Sequence, residues 1–258
     1  VERVLTPAGR ARGLIVTNAR GVFSDPIAEY VLMMILAVSR RLPQLLELQR
    51  ERTWQPLEGT ELRDVTVGIV GLGSIGQAVA TLASAFGCRV IATRRRSGAG
   101  DPPLPAEAPA TAAAARPSID RLSGPDGLPA LLAESDFVVL AAPLTPDTEG
   151  MIDEAALAGV KPGAWLINVA RGRLVDERAL LRALRDGPLG GAILDTFRDE
   201  PLPPGSPFYD LPNVIVTPHT SWSSGRVLDR SVELFCDNLR HYAAGEPLVN
   251  VIDPTVGY

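Results

Sequence analysis

One lysine, Lys161, stands among 25 basic residues, and the chain has only two histidines, His219 and His241. A Schiff-base mechanism would therefore rest on Lys161 alone, which sits in a Val160-Lys161-Pro162-Gly163 turn that reads as solvated. Acid–base chemistry near neutral pH narrows to the two histidines, the side chains whose ordinary titration falls there. Cysteine is equally scarce: Cys88 and Cys236 are isolated and offer neither a disulfide framework nor zinc-ligand spacing, so no metal is expected and a reducing cytoplasm fits best. The longest unbroken apolar run, Tyr30 to Val38, stops at Ser39-Arg40-Arg41, far short of the roughly 20 residues that cross a bilayer. Positive charge is not in excess either. With a formal net charge of −5 the chain has no global attraction for phosphate backbones, so neither a membrane nor a nucleic acid is an expected partner.

What is present is ample apolar material, 46% of 258 residues, enough to bury one or two ordinary cores. Asp25-Pro26 places a side-chain acceptor at an N-cap and a proline at the first helical position, so one long apolar helix is expected over Ile27 to Leu45. After a polar link, short apolar runs recur with helix-length segments between them. Strands are expected at Val65 to Val70, Arg89 to Thr93, Asp136 to Ala142, Ala164 to Val169, Gly191 to Asp195 and Asn213 to Thr217. Such alternation predicts an α/β fold, a doubly wound parallel sheet covered by helices on both faces. Ser97 to Pro117 is Pro/Ala/Gly-rich and has almost nothing to bury, so it reads as an insertion. A last helix is expected from about Gly225 to Ala243, capped by Gly245.

The first strand runs into Gly71-Leu72-Gly73-Ser74-Ile75-Gly76 and then a helical segment. Alone this pattern is weak, but between a buried strand and a helix it is the setting of a dinucleotide site. Gly71 permits a tight turn, Gly73 lets the backbone approach a pyrophosphate, and Gly76 allows close helix packing, with the helix N-terminus facing the phosphate charge. An acid that binds ribose hydroxyls is expected at the end of the second strand. Thr93-Arg94-Arg95-Arg96 stands there instead. Guanidinium groups grip a 2′-phosphate that a carboxylate would repel, which predicts NADPH over NADH; the alternative is a solvated arginine run in a loop.

Further candidates follow strand ends on the same edge, where doubly wound sheets bind ligands. Arg171 follows one strand, Asp195 and Glu200 the next, and His219 the last. Singly each has a bland explanation as surface base, loop acid or turn histidine. Jointly they suit reduction of a 2-oxo acid. A histidine donates the proton that the developing alkoxide needs, a carboxylate on its second ring nitrogen favours the imidazolium and fixes the ring, and an arginine fork holds the substrate carboxylate.

With Asn168-Val169-Ala170-Arg171-Gly172, Asp195 through Glu200-Pro201-Leu202, and Thr217-Pro218-His219 in this order behind the glycine loop, the chain resembles the D-isomer-specific 2-hydroxyacid dehydrogenase family along essentially its whole length. The resemblance implies Arg171 as substrate binder, His219 as acid/base, Glu200 as its partner and Asp195 near the nicotinamide. It also places Pro143, Leu144 and Thr148, with Val169 and Ala170, along the cofactor. Arg94 stands where the commonest members carry aspartate, and there the likeness is stronger to NADPH-using glyoxylate and hydroxypyruvate reductases. Glu200 argues against the formate dehydrogenases, which pair their histidine with glutamine. The family's small residue two places after the histidine is Ser221, followed by Trp222, which is expected to reshape the pocket.

The resemblance further implies a Rossmann-type domain over 26–223 and a second, flavodoxin-like substrate domain. Only the end of that domain's N-terminal part, residues 1–25, and a returning helix and tail, 224–258, are expected in this sequence, its front being missing from the chain. A homodimer built around the apolar helix at Ile27 to Leu45 is implied as well. Two other readings stay open: a dinucleotide-sensing co-repressor of the same fold, and a dehydrogenase of an unusual substrate such as phosphite.

Overall fold

The structure, a computed structural model, describes residues 14–95 and 118–252. The insertion expected at Ser97 to Pro117 and the third arginine of the run, Arg96, lie outside the described residues. Seven strands form one parallel sheet: β1 Thr66–Val70, β2 Arg89–Thr93, β3 Arg121–Ser123, β4 Phe137–Leu140, β5 Trp165–Asn168, β6 Gly191–Leu194 and β7 Val214–Val216. Their spatial order is β3-β2-β1-β4-β5-β6-β7, so the strand order reverses between β1 and β4. Ligands of such sheets bind at that reversal, outside the strands' carboxyl ends.

The sheet is buried on both faces, as its continuous apolar runs require. Side chains alternate between two layers of core. Val67, Ile69, Phe137, Val139, Ile167 and Ile193 face one way, against α1 Ser24–Ser39 and α3 Ser74–Ala85. Val70, Val138, Leu140, Leu166 and Leu194 face the other, against α4 Leu128–Glu134, α5 Glu154–Ala158 and α6 Glu177–Arg185. A last helix, α7 Val227–Ala244, ends at Gly245 in the left-handed region (φ +70°), the expected glycine cap. Among the described residues no helix is long and apolar enough to cross a membrane.

Three expectations are corrected. The helix expected over Ile27 to Leu45 is two, α1 and α2 Leu42–Arg50, separated at Arg41 (φ +59°). Pro43 explains the break: it has no N–H to give to the carbonyl of Ser39, and Thr60 N–H takes that oxygen instead at 2.8 Å. Asp25 is not the N-cap. Helix α1 starts at Ser24 without a side-chain cap, and the Asp25 carboxylate accepts from Arg230 Nη2 at 2.9 Å, tying α1 to α7. The third correction is β3, a strand of three residues too short to show a period. It pairs with β2 through Ile91, Ala92 and Thr93.

Candidate active site

Six of the strands deliver their candidate residues to the same edge. Gly71 follows β1 in the left-handed region (φ +99°), and a Cβ on it would lie 2.6 Å from the backbone of Ala142 beyond β4. The glycine loop thus sits in the crevice at the strand reversal. Gly76 is forced by contact: a Cβ there would meet the Gly71 carbonyl oxygen at 2.2 Å. Gly73 faces open space and is exposed, and no side chain caps α3, whose first turn begins at Ser74 and Ile75. An open, uncapped helix N-terminus with a side-chain-free approach is what a pyrophosphate needs, so these residues fit a dinucleotide.

The end of β2 is stitched to this loop, Gly71 N–H donating to Thr93 O at 3.0 Å. Arg94, half-buried, is the next residue, and its own N–H donates to Ser123 O at the end of β3 (3.0 Å). Arg95 follows, exposed. The arginine pair therefore stands beside the glycine loop, where the adenosine ribose of a bound dinucleotide would lie.

Beyond β4, Thr148 Oγ1 donates to Pro143 O (2.7 Å) and accepts from Thr145 N–H (2.8 Å), which closes the 143–148 turn. Pro143 is exposed and Leu144 half-buried on that turn. Beyond β5, Val169 and Ala170 are core, only 5% and 9% exposed, and Arg171 is the first side chain of the run to emerge. Asn168, fully enclosed, shapes the turn: its Nδ2 donates to Arg171 O (3.0 Å) and its Oδ1 accepts from Ala170 N–H (3.1 Å). The Arg171 guanidinium donates through Nη1 to Ala170 O at 2.8 Å. Gly172 presses this turn on the loop after β6, since a Cβ there would be 1.9 Å from the carbonyl carbon of Phe197. That close contact joins the Arg171 turn to the loop that carries Glu200.

His219 Nδ1 lies 2.8 Å from Glu200 Oε2. A carboxylate can only accept, so Nδ1 carries the hydrogen and Nε2 is left for a ligand. The other carboxylate oxygen, Glu200 Oε1, accepts from Phe197 N–H (3.0 Å) and so is itself held. The pair is partly exposed, with about two-fifths of the His219 side chain open to solvent. Asp195 differs in kind. Its side chain has no exposure, and its oxygens accept from Thr217 Oγ1 (2.6 Å), Thr220 N–H (2.8 Å) and Ser221 N–H (3.0 Å). In this structure it anchors the loop around His219 from within, and presents no surface to a ligand.

The remaining scarce residues lie elsewhere. Lys161 pairs with Asp136 at 2.6 Å, at the start of β4 and so on the opposite edge of the sheet. His241 occupies the last turn of α7 and donates through Nδ1 to Pro247 O at 2.9 Å. Cys88 is buried, and burial pushes its thiol up, away from reactivity. Among the described residues no group of three or more histidine, cysteine or acidic side chains could hold a metal ion.

The model of the D-isomer specific 2-hydroxyacid dehydrogenase NAD binding domain matches residues 32–221. The chain belongs to this family. It is 40% identical over 248 residues to D-3-phosphoglycerate dehydrogenase of Mycobacterium tuberculosis, which covers 95% of this chain and 44% of that protein. It is 34% identical over 256 residues to glyoxylate reductase of Korarchaeum cryptofilum, covering 95% of this chain and 71% of that one. Among solved structures, the NADPH-dependent glyoxylate/hydroxypyruvate reductase from Sinorhizobium meliloti, in complex with NADP and sulfate, superposes with a TM-score of 0.85 at 32% identity. That match covers all of this chain and 77% of the other. The chain thus spans less than half the length of the phosphoglycerate dehydrogenases it matches. What the match shows in this chain is the family's NAD binding domain, on a Rossmann-type fold.

The sequence reading missed part of the site. Tyr30 and Thr217 join Asp195 in one hydrogen-bonded chain, and the Trp222 indole reaches the backbone of His219. Neither link leaves a periodic or motif signal, because each joins residues by shape and not by spacing.

Proposed function

We propose that the protein is a reductase of small 2-oxo acids, glyoxylate or hydroxypyruvate first among them, with NADPH preferred over NADH. The observation that carries this reading is the His219–Glu200 pair, on the same sheet edge as the glycine loop and Arg171. The cofactor would be held by Gly71, Gly73, Ser74, Ile75 and Gly76 at its pyrophosphate and by Arg94 to Arg96 at its 2′-phosphate, with Pro143, Leu144, Thr148, Val169 and Ala170 along its length. When bound, the nicotinamide supplies the hydride. Arg171 holds the substrate carboxylate with its planar fork and stabilises negative charge at the carbonyl oxygen. His219 delivers a proton from Nε2 to that oxygen as it becomes an alkoxide. Glu200, bonded at Nδ1, keeps the ring oriented for that transfer. Asp195 serves as the anchor of the histidine loop.

The test is the consumption of NADPH, compared with NADH, by the full-length protein given glyoxylate, hydroxypyruvate and bulkier 2-oxo acids in turn. Consumption of NADPH with a small 2-oxo acid is the expected result. Tight NADPH binding without turnover of any of them would replace the reductase with a dinucleotide sensor or a dehydrogenase of another substrate.

The surface supports two further parts of the same reading. On α7, Leu228, Val232, Phe235, Leu239 and Tyr242 recur every three or four residues and are each more than half exposed. This stripe is the place for the rest of a substrate domain, to which 14–25 and 224–252 also belong. The free thiols fit a reducing compartment. The second surface is α2, which buries no residue and exposes Leu42, Leu45 and Leu46, followed by a fully exposed Trp54. We assign it to a homodimer interface. Sedimentation velocity is expected to show a dimer that Leu45→Ser with Leu46→Ser converts to monomer, and a wild-type monomer at micromolar concentration would exclude the assignment.

A further inference from the structure

His219 has a backbone φ of +50°, a left-handed conformation that residues with a Cβ adopt only when their surroundings impose it. The loop's own links are short: His219 N–H donates to Thr217 O at 3.0 Å. Asp195 anchors the loop from within, and two further side chains that no motif contains connect it to α1.

Tyr30 Oη lies 2.7 Å from Thr217 Oγ1, which in turn lies 2.6 Å from Asp195 Oδ1. The carboxylate has no hydrogen to give, so the single Thr217 hydroxyl hydrogen goes to Asp195. Tyr30 is then the donor to Thr217, and the direction of the whole chain is fixed: Tyr30 to Thr217 to Asp195. The carboxylate completes its shell with the N–H groups of Thr220 and Ser221, the two residues after His219. Burial, opposed by the Thr217 hydrogen bond and reinforced by the nearby Asp195 charge, pushes the Tyr30 phenol up to about 12. It therefore stays protonated and remains a donor across the working range of pH.

The second link runs from the other side. Trp222 Nε1 donates to His219 O at 2.8 Å, while its ring meets Phe23 edge to face, centroids 6.2 Å apart at 81°. Phe23 is the residue from which α1 starts. The peptide of His219 is thus gripped at its carbonyl by Trp222 and, through Asp195, along the residues that follow it.

We propose that Tyr30 and Trp222 are positioning residues for His219, with the first turns of α1 serving as the template that holds the proton donor in its left-handed conformation facing the substrate site. This inference rests on the reading of His219 as proton donor. Nothing in it requires either residue to touch substrate. Buried polar chains of this kind specify one geometry because a half-satisfied chain is costly in a low-dielectric interior. A displacement of about 1 Å in a catalytic group can cost two orders of magnitude in rate.

The test uses the full-length protein with Tyr30→Phe, which deletes the donor and keeps the ring, and Trp222→Phe, which deletes the indole donor and leaves a smaller aromatic ring in its place. Each is expected to lower kcat about tenfold while KM for cofactor and substrate stays within about twofold. A spectroscopic readout accompanies the kinetics: the ¹⁵N imidazole signals of the protein, with His219 assigned by His219→Gln and His241 as internal reference. The His219 signals are expected to shift or broaden in both variants while those of His241 stay fixed. Wild-type kcat with an unmoved His219 signal in either variant would overturn the role of that residue. So would a loss of kcat that only follows lost cofactor affinity and a lowered Tm, since that marks general destabilisation. Failure of the underlying reading looks different: His219→Gln itself would keep full turnover, while the imidazole signals would still report whether Tyr30 and Trp222 hold the ring.

Discussion

Turnover of His219→Gln is expected to fall by about 10²- to 10⁴-fold, the usual contribution of a positioned general acid. Glutamine occupies similar space, and its amide can still donate to Glu200, so the substitution removes proton transfer more cleanly than it disturbs the loop. Affinity for the cofactor is expected to stay within about twofold, because the proposed phosphate contacts, at the glycine loop and the arginine pair, lie across the strand reversal from β7. Glutamine must also adopt the left-handed conformation at this position (φ +50°), and a Tm measurement shows whether that lowers stability. Steady-state kinetics with cofactor titration checks the prediction. Undiminished turnover would remove His219 from the mechanism and leave its pairing with Glu200 a structural feature.

Removing both Arg94 and Arg95 is the second large effect. The Arg94→Ala, Arg95→Ala protein is expected to bind NADPH roughly a hundredfold more weakly and NADH within about threefold of wild type, since each charge-assisted hydrogen bond to a phosphate is worth roughly 1.5 to 3 kcal/mol. The backbone link from Arg94 N–H to Ser123 O survives the change, so the end of β2 is expected to keep its place. Fluorescence titration at two salt concentrations checks the cause: the proposed preference of the wild type for NADPH is expected to shrink at high salt, as a phosphate contact is screened. Equal losses for both nucleotides would mean that the arginines shape the loop and do not read the 2′-phosphate.

Strong local signals were legible in the chain. Six of the strands lie within the ranges their apolar runs indicate, because a parallel strand buried on both faces must be apolar along its length. The glycine loop was legible for a related reason: Gly71 and Gly76 are imposed by backbone contacts shorter than any Cβ tolerates. Strand β3 was not legible, since three residues with Arg121 at their head carry no pattern beyond the pairing that β2 supplies. The break between α1 and α2 had a local signal, Pro43, but the long apolar stripe concealed it. What completes the break is remote in sequence, the Thr60 N–H that occupies the carbonyl Pro43 cannot serve.

Asp195 marks the boundary between the two kinds of information. Its place at the end of β6 is a matter of pattern, but its surroundings are a matter of packing. Within the described residues it is an enclosed anchor for the histidine loop, and this follows only from the donors that Thr217, Thr220 and Ser221 bring to it.

The sequence by itself determined the fold class, the order of the strand-end residues and the chemical types available, because periodicity, glycine spacing and the scarcity of histidine and lysine are local or countable properties. The resemblance already implied the Glu200–His219 pair, but the tertiary structure alone decided which other polar groups meet: Tyr30 with Thr217 across 187 residues, and Asp25 with Arg230 across 205. Buried donors and acceptors must find partners wherever the packed chain brings them, and that search is satisfied in space, with no trace in spacing along the sequence.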